Sequence, residues 1–324
     1  MPLGIKPTVD FAFKKIFGSP ENRPALIGLL NAILTPARPI ESVEILNPFS
    51  YQEFAEDKLI VLDIRARDSQ GRWLNIEMQI SVVAGLIRRL VYYGCSLYVD
   101  QLQAGGNYSD LCPAISICLL REVLFRETPV AHHRFQLADV EHGRTLDETI
   151  EVHTVELTKY NVDEATLGRA SEIEKWVFFL LHADEYDADR LRALLPEEPF
   201  QRAIGAAEAI AARTEDRMMY DRREKAQRDY QWALESARRE GLEKGLEKGR
   251  EEGREEGVRI GLEKGREKGL AEGREEGVLI GKIQLLEQLL GQPPTPTDRL
   301  SHRPLAELNL LLAQLQERLR RRGA

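Results

Sequence analysis

Helical periodicity opens the chain. Val9, Phe13 and Phe17 recur at intervals of four, so the stretch DFAFKKIFG is expected to form a helix with one apolar face. Asp10 falls in its first turn, where the helix dipole favours an anion, and Gly18 with Pro20 stops it. A second helix is expected over about residues 23–34. Leu26, Leu29, Leu30 and Ile33 share one side of it, and Pro36 and Pro39 end it.

The period then changes to two. Residues 42–46 (SVEIL) form a short candidate strand. Within residues 59–67, Ile60, Leu62, Ile64 and Ala66 alternate with Val61, Asp63, Arg65 and Arg67. Within residues 73–80, Leu74, Ile76, Met78 and Ile80 alternate with Asn75, Glu77 and Gln79. The DSQG turn between them makes a β-hairpin. A helix follows over about residues 82–103, with Leu86, Leu90, Tyr93 and Leu97 as its apolar stripe. Residues 114–120 (AISICLL) read as a central strand buried on both faces. Residues 134–138 and 150–157 read as further strands, with His132 and His133 in a surface turn before the first. This order makes a mixed α/β domain with one sheet and a crossover helix.

Four segments are expected: an α/β domain over 1–160, a helical region over 161–240, a glycine-periodic segment over 241–291, and a proline linker with a leucine-rich helix over 292–324. Glycine stands at every fourth position from Gly241 to Gly281, eleven in all. REEGVRIG, ending at Gly261, returns as REEGVLIG, ending at Gly281. Glu, Lys, Arg and Leu fill the other positions and favour helix, while each glycine opposes it by about 1 kcal/mol relative to alanine. Two readings stay open: a self-association stem in which glycine faces let backbones approach, and a solvated, partly helical spacer. Beyond the linker, Leu305, Leu308, Leu312, Leu315 and Leu319 follow heptad spacing, which suits a helical hairpin or an intermolecular bundle.

Composition narrows the function classes. The 324 residues carry 45 basic against 53 acidic side chains, a formal charge of -8, which disfavours a protein that coats polyanions by bulk charge. No apolar run reaches the length that spans a bilayer, so no membrane role is expected. The N-terminus lacks a secretory pattern, and Cys95, Cys112 and Cys118 form no CxxC pair, so a reducing cytoplasm is expected. No phosphate-binding GxxxxGK[ST] loop is present, so no nucleotide cofactor is expected.

The hairpin holds the candidate chemistry. Glu77 and Gln79 share a face of one strand, and Asp63 belongs to the polar face of its neighbour. Pairing through the DSQG turn brings the three together. Two carboxylates with the Met78 backbone carbonyl between them suit Mg²⁺, which takes one or two carboxylates and recruits phosphate oxygens. A plain hairpin with one solvated face shows the same alternation, so both readings are open on spacing alone. Arg65 shares the face of Asp63 and fits either a phosphate contact or a salt bridge to Glu77. Arg88 and Arg89, beside Tyr92 and Tyr93 on the crossover helix, are candidate DNA contacts.

DFAFKKIFG, LLNAIL, LDIRARD, GRWLNIEMQ, LVYYGCSLYVDQL and TVELTKY together resemble the recombination-promoting nuclease family, also called PD-(D/E)XK nuclease family putative transposases. The resemblance is close over about residues 8–160 and looser into the glycine repeat. It implies a restriction-endonuclease-like core, which the residues supply with a mixed central sheet and follow with an all-α region and a long glycine-ladder helical tail. It also implies Mg²⁺-dependent DNA cleavage. Asp63 matches the motif aspartate, Glu77 the second acidic ligand, and Asp10 and Lys14 the first-helix motif. Gln79 stands where the wider superfamily has lysine. It can position water through neutral hydrogen bonds, but it supplies no cation.

The expectation is a metal-dependent DNA endonuclease, a homo-oligomer through its tail. The resemblance links that enzyme to recombination or mobile-element activity; the rival is a catalytically weak or inactive DNA-binding, oligomeric scaffold that keeps the nuclease fold, in phage defence.

Overall fold

A computed structural model describes residues 1–51, 63–102 and 104–322. Its contacts group the chain into two units, Met1–Glu235 and Ser236–Ala324.

The first unit is built around a mixed sheet, which among the described residues has six strands in the order β1-β2-β3-β4-β6-β5. These are β1 (Val43–Ile45), β2 (Asp63–Asp68), β3 (Trp73–Gln79), β4 (Ala114–Leu120), β5 (His132–Gln136) and β6 (Ile150–Glu156). The β3–β4 and β4–β6 pairs are parallel and the others antiparallel. Helix α3 (Leu86–Val99) makes the crossover from β3 to β4. Every residue of β4 is buried, as its unbroken run anticipates. Residues 59–62 of the expected strand lie outside the described residues, as does Gln103 at the end of the expected helix.

The hairpin turn is fixed by one side chain. Asp68, itself buried, accepts hydrogen bonds on Oδ1 from the backbone N–H groups of Gln70 and Arg72, both at 2.9 Å. Its Oδ2 accepts from Arg72 Nε at 2.7 Å. Gly71 takes a φ of +81°, a conformation that disfavours side chains, and its N–H closes onto the Asp68 carbonyl. This turn sets the register of β2 against β3.

One face of the sheet carries Ile64, Ala66, Leu74, Ile76, Ile115, Ile117, Leu119 and Val155 into the main core. Helices α1 (Asp10–Phe17), α2 (Arg23–Leu34), α4 (Glu172–His182), α5 (Ala188–Leu194) and α6 (Glu198–Ala212) supply most of the rest of that core. It extends without a break to Tyr220 in the first turns of α7 (Thr214–Leu289), so the expected divide at residue 160 falls inside it. Gly28 on α2 packs so closely that a Cβ there would stand 2.5 Å from Pro199 Cβ. On the other face, Leu86 and Leu90 of α3 pack against Cys118, Leu120 and Val152. Gly94 brings α3 down on the sheet: a Cβ there would meet Ile150 Cγ2 at 3.2 Å.

In the second unit, the glycine-periodic segment belongs to α7, and a Cβ at each glycine from Gly241 to Gly281 would meet nothing within 4 Å. Leu279, Ile280 and Ile283 at the end of α7 form one buried cluster with Leu308 and Leu315 of α9 (Leu305–Arg322) and Leu300 of the short α8 (Thr297–Leu300). Among the described residues, no helix is long and apolar enough to cross a membrane.

Candidate active site

The β2–β3 register makes Asp63 and Glu77 direct Cα partners. In an antiparallel pair such positions share a face and stand about 5 Å apart at Cβ. On the other side of β3, Glu77 is the partner of Cys118. Asp63, Glu77 and Cys118 therefore occupy one row across three strands, on the face that α3 covers.

That face is dry where the hairpin alternation alone left it open. Glu77 is 0% exposed and Asn75 1%. A charged carboxylate out of water needs donors and a counter-charge. Asn75 Nδ2 donates to Glu77 Oε1 at 3.1 Å, and Gln79 Nε2 donates to Oε2 at 3.3 Å. The guanidinium of Arg89, reaching down from α3, brings its terminal nitrogen within 3.9 Å of Oε2. The Cys118 thiol is held well above its ordinary range, first by burial and then by the Glu77 charge, with Arg89 acting in the opposite sense. It is a neutral packing group here. The solvated-hairpin reading is thereby corrected: the polar positions of β3 face an interior polar seam under α3.

Several polar atoms in this seam are buried without a hydrogen-bond partner: Asn75 Oδ1, Ser116 Oγ, Thr154 Oγ1, and Arg89 Nε and its terminal nitrogen. The amide oxygen of Asn75 is an uncommitted acceptor on the residue that already holds Glu77. Oxygen donors of this kind, with one or two carboxylates, are what a hard divalent ion takes. Among the described residues, no group of three or more His, Cys, Asp or Glu side chains forms a ready-made metal cluster, so the donor set here is Glu77 with the amide oxygen of Asn75, beside the strand position of Asp63.

The remaining expected residues fall as follows. Met78 is half-buried, with its side chain against the main core, and pairs with Leu119. Arg65 is half-buried, pairs with Asn75, and donates its backbone N–H to Asn47 Oδ1 at 2.6 Å. Arg88 is exposed on α3, with Tyr92 beyond it 66% exposed. Asp10 is the first residue of α1, with Val9 at the cap position. Its carboxylate is gripped by Arg223 of α7, whose Nε donates to Oδ2 at 3.0 Å and whose terminal nitrogen bonds the same oxygen. Lys14 is buried in the same helix. Neighbouring Lys15 has its ammonium 4.7 Å from the Tyr51 ring centroid and bonded to Asp216 of α7.

His132 and His133 belong to β5 rather than to a turn. His132 Nε2 lies 2.8 Å from His153 Nδ1, and His153 in turn bonds Glu151. Arg134 grips Glu151 with two hydrogen bonds of 2.8 Å. Their partner positions place this chain on the sheet face opposite the Asp63–Glu77 row. In TVELTKY, buried Glu156 accepts from the backbone N–H of Leu124 at 2.8 Å, and Lys159 donates to the carbonyls of Phe125, Thr128 and Val130. Both motif residues hold the loop after β4.

A family model described as PD-(D/E)XK nuclease family transposase matches residues 7–237. The chain belongs to that family. No curated protein and no solved structure matches it. The six-stranded mixed sheet and its flanking helices fit the α/β fold of PD-(D/E)XK proteins, and membership supports a nuclease-like or transposase-like function. The match ends at residue 237, close to the end of the first unit.

Asn75 belongs to no candidate chemistry in the sequence. Its signal was available in the period-2 spacing to Glu77, which puts both on one face of β3. The approach of Arg89 to Glu77 had no local signal, because it depends on how α3 lies on the sheet.

Proposed function

We propose that the chain is a divalent-metal-dependent DNA endonuclease that hydrolyses phosphodiester bonds. The observation that carries this reading is the direct pairing of Asp63 with a fully buried Glu77 whose oxygens are held by Asn75 and Gln79.

Asp63 and Glu77 would hold the ion, with the Met78 carbonyl beside them. A bound divalent ion supplies charge neutralisation at the phosphate and lowers the pKa of coordinated water. In the hydrolysis, a water oxygen bonds to phosphorus as one P–O ester bond breaks. The departing alkoxide takes up a proton, and the attacking water loses one. Gln79, anchored on Glu77 Oε2, orients the water through its amide. Arg65 and exposed Arg88 contact the DNA backbone, where cations position a duplex without reading its sequence. The tail unit joins copies of the chain, so that two such sites address the two strands of a duplex.

The net charge of -8 and the glutamine in place of lysine favour the rival reading of a DNA-binding scaffold. The buried, hydrogen-bonded Glu77 favours the enzyme, because a desolvated carboxylate opposite a second acidic position costs stability in a protein that does not use it. Plasmid nicking by the full chain, with and without Mg²⁺, tests the reading on wild type, Asp63→Asn and Glu77→Gln. Mg²⁺-dependent nicking that both substitutions abolish is the expected result. No nicking by the folded wild type would leave the scaffold.

A further inference from the structure

Gln79 leaves the site without the cation that its strand position would otherwise supply, and a cation does reach the site from another element. Arg89 lies on α3, and its terminal nitrogen is 3.9 Å from the same Glu77 oxygen that Gln79 contacts. That separation is an ion pair by charge and too long for a hydrogen bond. Nε and the terminal nitrogen are both buried, and neither donates to any group. The side chain as a whole is 26% exposed, so it runs from solvent inward to Glu77. Buried guanidinium donors left unused are costly, since each forfeits its bonds to water. A tetrahedral anion with oxygens on two adjacent corners matches the guanidinium fork and would satisfy both donors at once.

We infer that Arg89 contacts the phosphate undergoing hydrolysis and supplies, from α3, the positive charge that Gln79 does not. The inference rests on the nuclease reading and adds to it a residue and a role. Negative charge on the phosphate oxygens rises toward the transition state, so a donor pair fixed beside them favours that state over the bound substrate. Asn75 and Gln79 remain on Glu77 when Arg89 is replaced, so the carboxylate keeps its neutral donors. The charge is then separable from the scaffold of the site.

The test uses the full chain and four proteins: wild type, Arg89→Ala, Arg89→Lys, and Arg89→Ala combined with Gln79→Lys. Three quantities are measured: Mg²⁺-dependent single-turnover nicking, affinity for a labelled duplex in EDTA by anisotropy, and Mn²⁺ affinity by calorimetry. Arg89→Ala is expected to slow nicking by about 10²–10³-fold, the loss typical of a transition-state donor, while DNA affinity falls by less than about threefold. Mn²⁺ affinity should hold or rise, because a cation beside Glu77 has been removed; a purely structural role predicts that it falls. Arg89→Lys and the double variant should each nick within about tenfold of wild type, since both restore a cation. Where Arg89→Ala fails to fold, Arg89→Met takes its place, keeping the stem without the charge. Wild-type nicking rates in Arg89→Ala, or weakened Mn²⁺ binding with no rescue in the double variant, overturn the inference and leave the nuclease reading standing. A folded wild type that never nicks overturns both.

Discussion

Arg223 and Asp10 lie 213 positions apart and meet as a multiply hydrogen-bonded ion pair between α7 and α1. Arg223 is 4% exposed at its side chain, so α7 is tied to the start of the domain by a nearly dry contact. Lys15 with Asp216, and the Lys6 backbone N–H with the Tyr220 hydroxyl at 3.0 Å, repeat the tie along the same helix.

The first turns of α7 therefore belong to the folding unit of residues 1–235. Arg223→Ala should destabilise it by about 3 kcal/mol, because breaking a buried pair strands its partner. A chain ending after Arg239 should keep a cooperative melt, and one ending after Arg213 should lose it. Thermal melts followed by circular dichroism of the three proteins decide the point. A cooperative melt at the wild-type temperature in the shortest chain would refute it.

Gln79→Lys should leave nicking within about tenfold of wild type, or about 1.4 kcal/mol of barrier, in either direction. The position is half-buried beside Glu77, and a lysine there meets a carboxylate rather than another cation. Single-turnover rates in Mg²⁺ provide the comparison. Complete loss with a normal melt would give Gln79 a role that lysine cannot fill.

Acid should weaken the domain in two overlapping stages. Burial and the neighbouring His153 lower the pKa of His132 from 6.5 to about 4. The unfolded chain then binds its proton first, so stability falls as pH drops from about 6.5 to about 4. Glu151 is lowered from 4.5 to about 2: burial alone would raise it, but the bonds from His153 and Arg134 outweigh that. Its contribution is present above pH 4.5 and drains away toward pH 2. His132 stands half in solvent, so its share is about 1 kcal/mol after screening. Melting temperatures of wild type and His132→Asn between pH 7 and pH 4 test this. The variant should show the shallower decline.

Glycines in the two units should respond oppositely to alanine. Gly28→Ala drives a methyl into Pro199 and within 3.0 Å of Trp176 Cζ2, and should cost about 1–3 kcal/mol. Gly249, Gly257 and Gly265 have open space at Cβ, so alanine there should raise helix content, by about 1 kcal/mol of propensity each. Leucine at the same three sites tests the proposed self-association. The full chain should be larger by light scattering than the chain ending after Arg239, and leucine should shrink it by blocking close backbone approach. One oligomeric state for all three would make the glycine segment a spacer.

Much of this was legible in the residues because it is local. The alternation in WLNIEMQ fixes which side chains share a face, and the Asp68–Gly71 turn sets the register. Those two facts alone put Asp63 opposite Glu77. The apolar run of β4 likewise announces a central strand, and Gly18 ends α1 where the sequence places its stop.

What the tertiary structure decided is which faces are dry and which distant groups meet. Period-2 spacing is the same for a wet face and a buried one. Only the seating of α3, permitted by Gly94, makes Asn75 and Glu77 interior and brings Arg89 to within 3.9 Å of the carboxylate. The Asp10–Arg223 tie and the His132–His153–Glu151 chain join residues that no local period relates. His132 and His133 read as a turn until β5 pairs with β6, since a strand at the sheet edge draws its stability from its neighbour rather than from its own sequence.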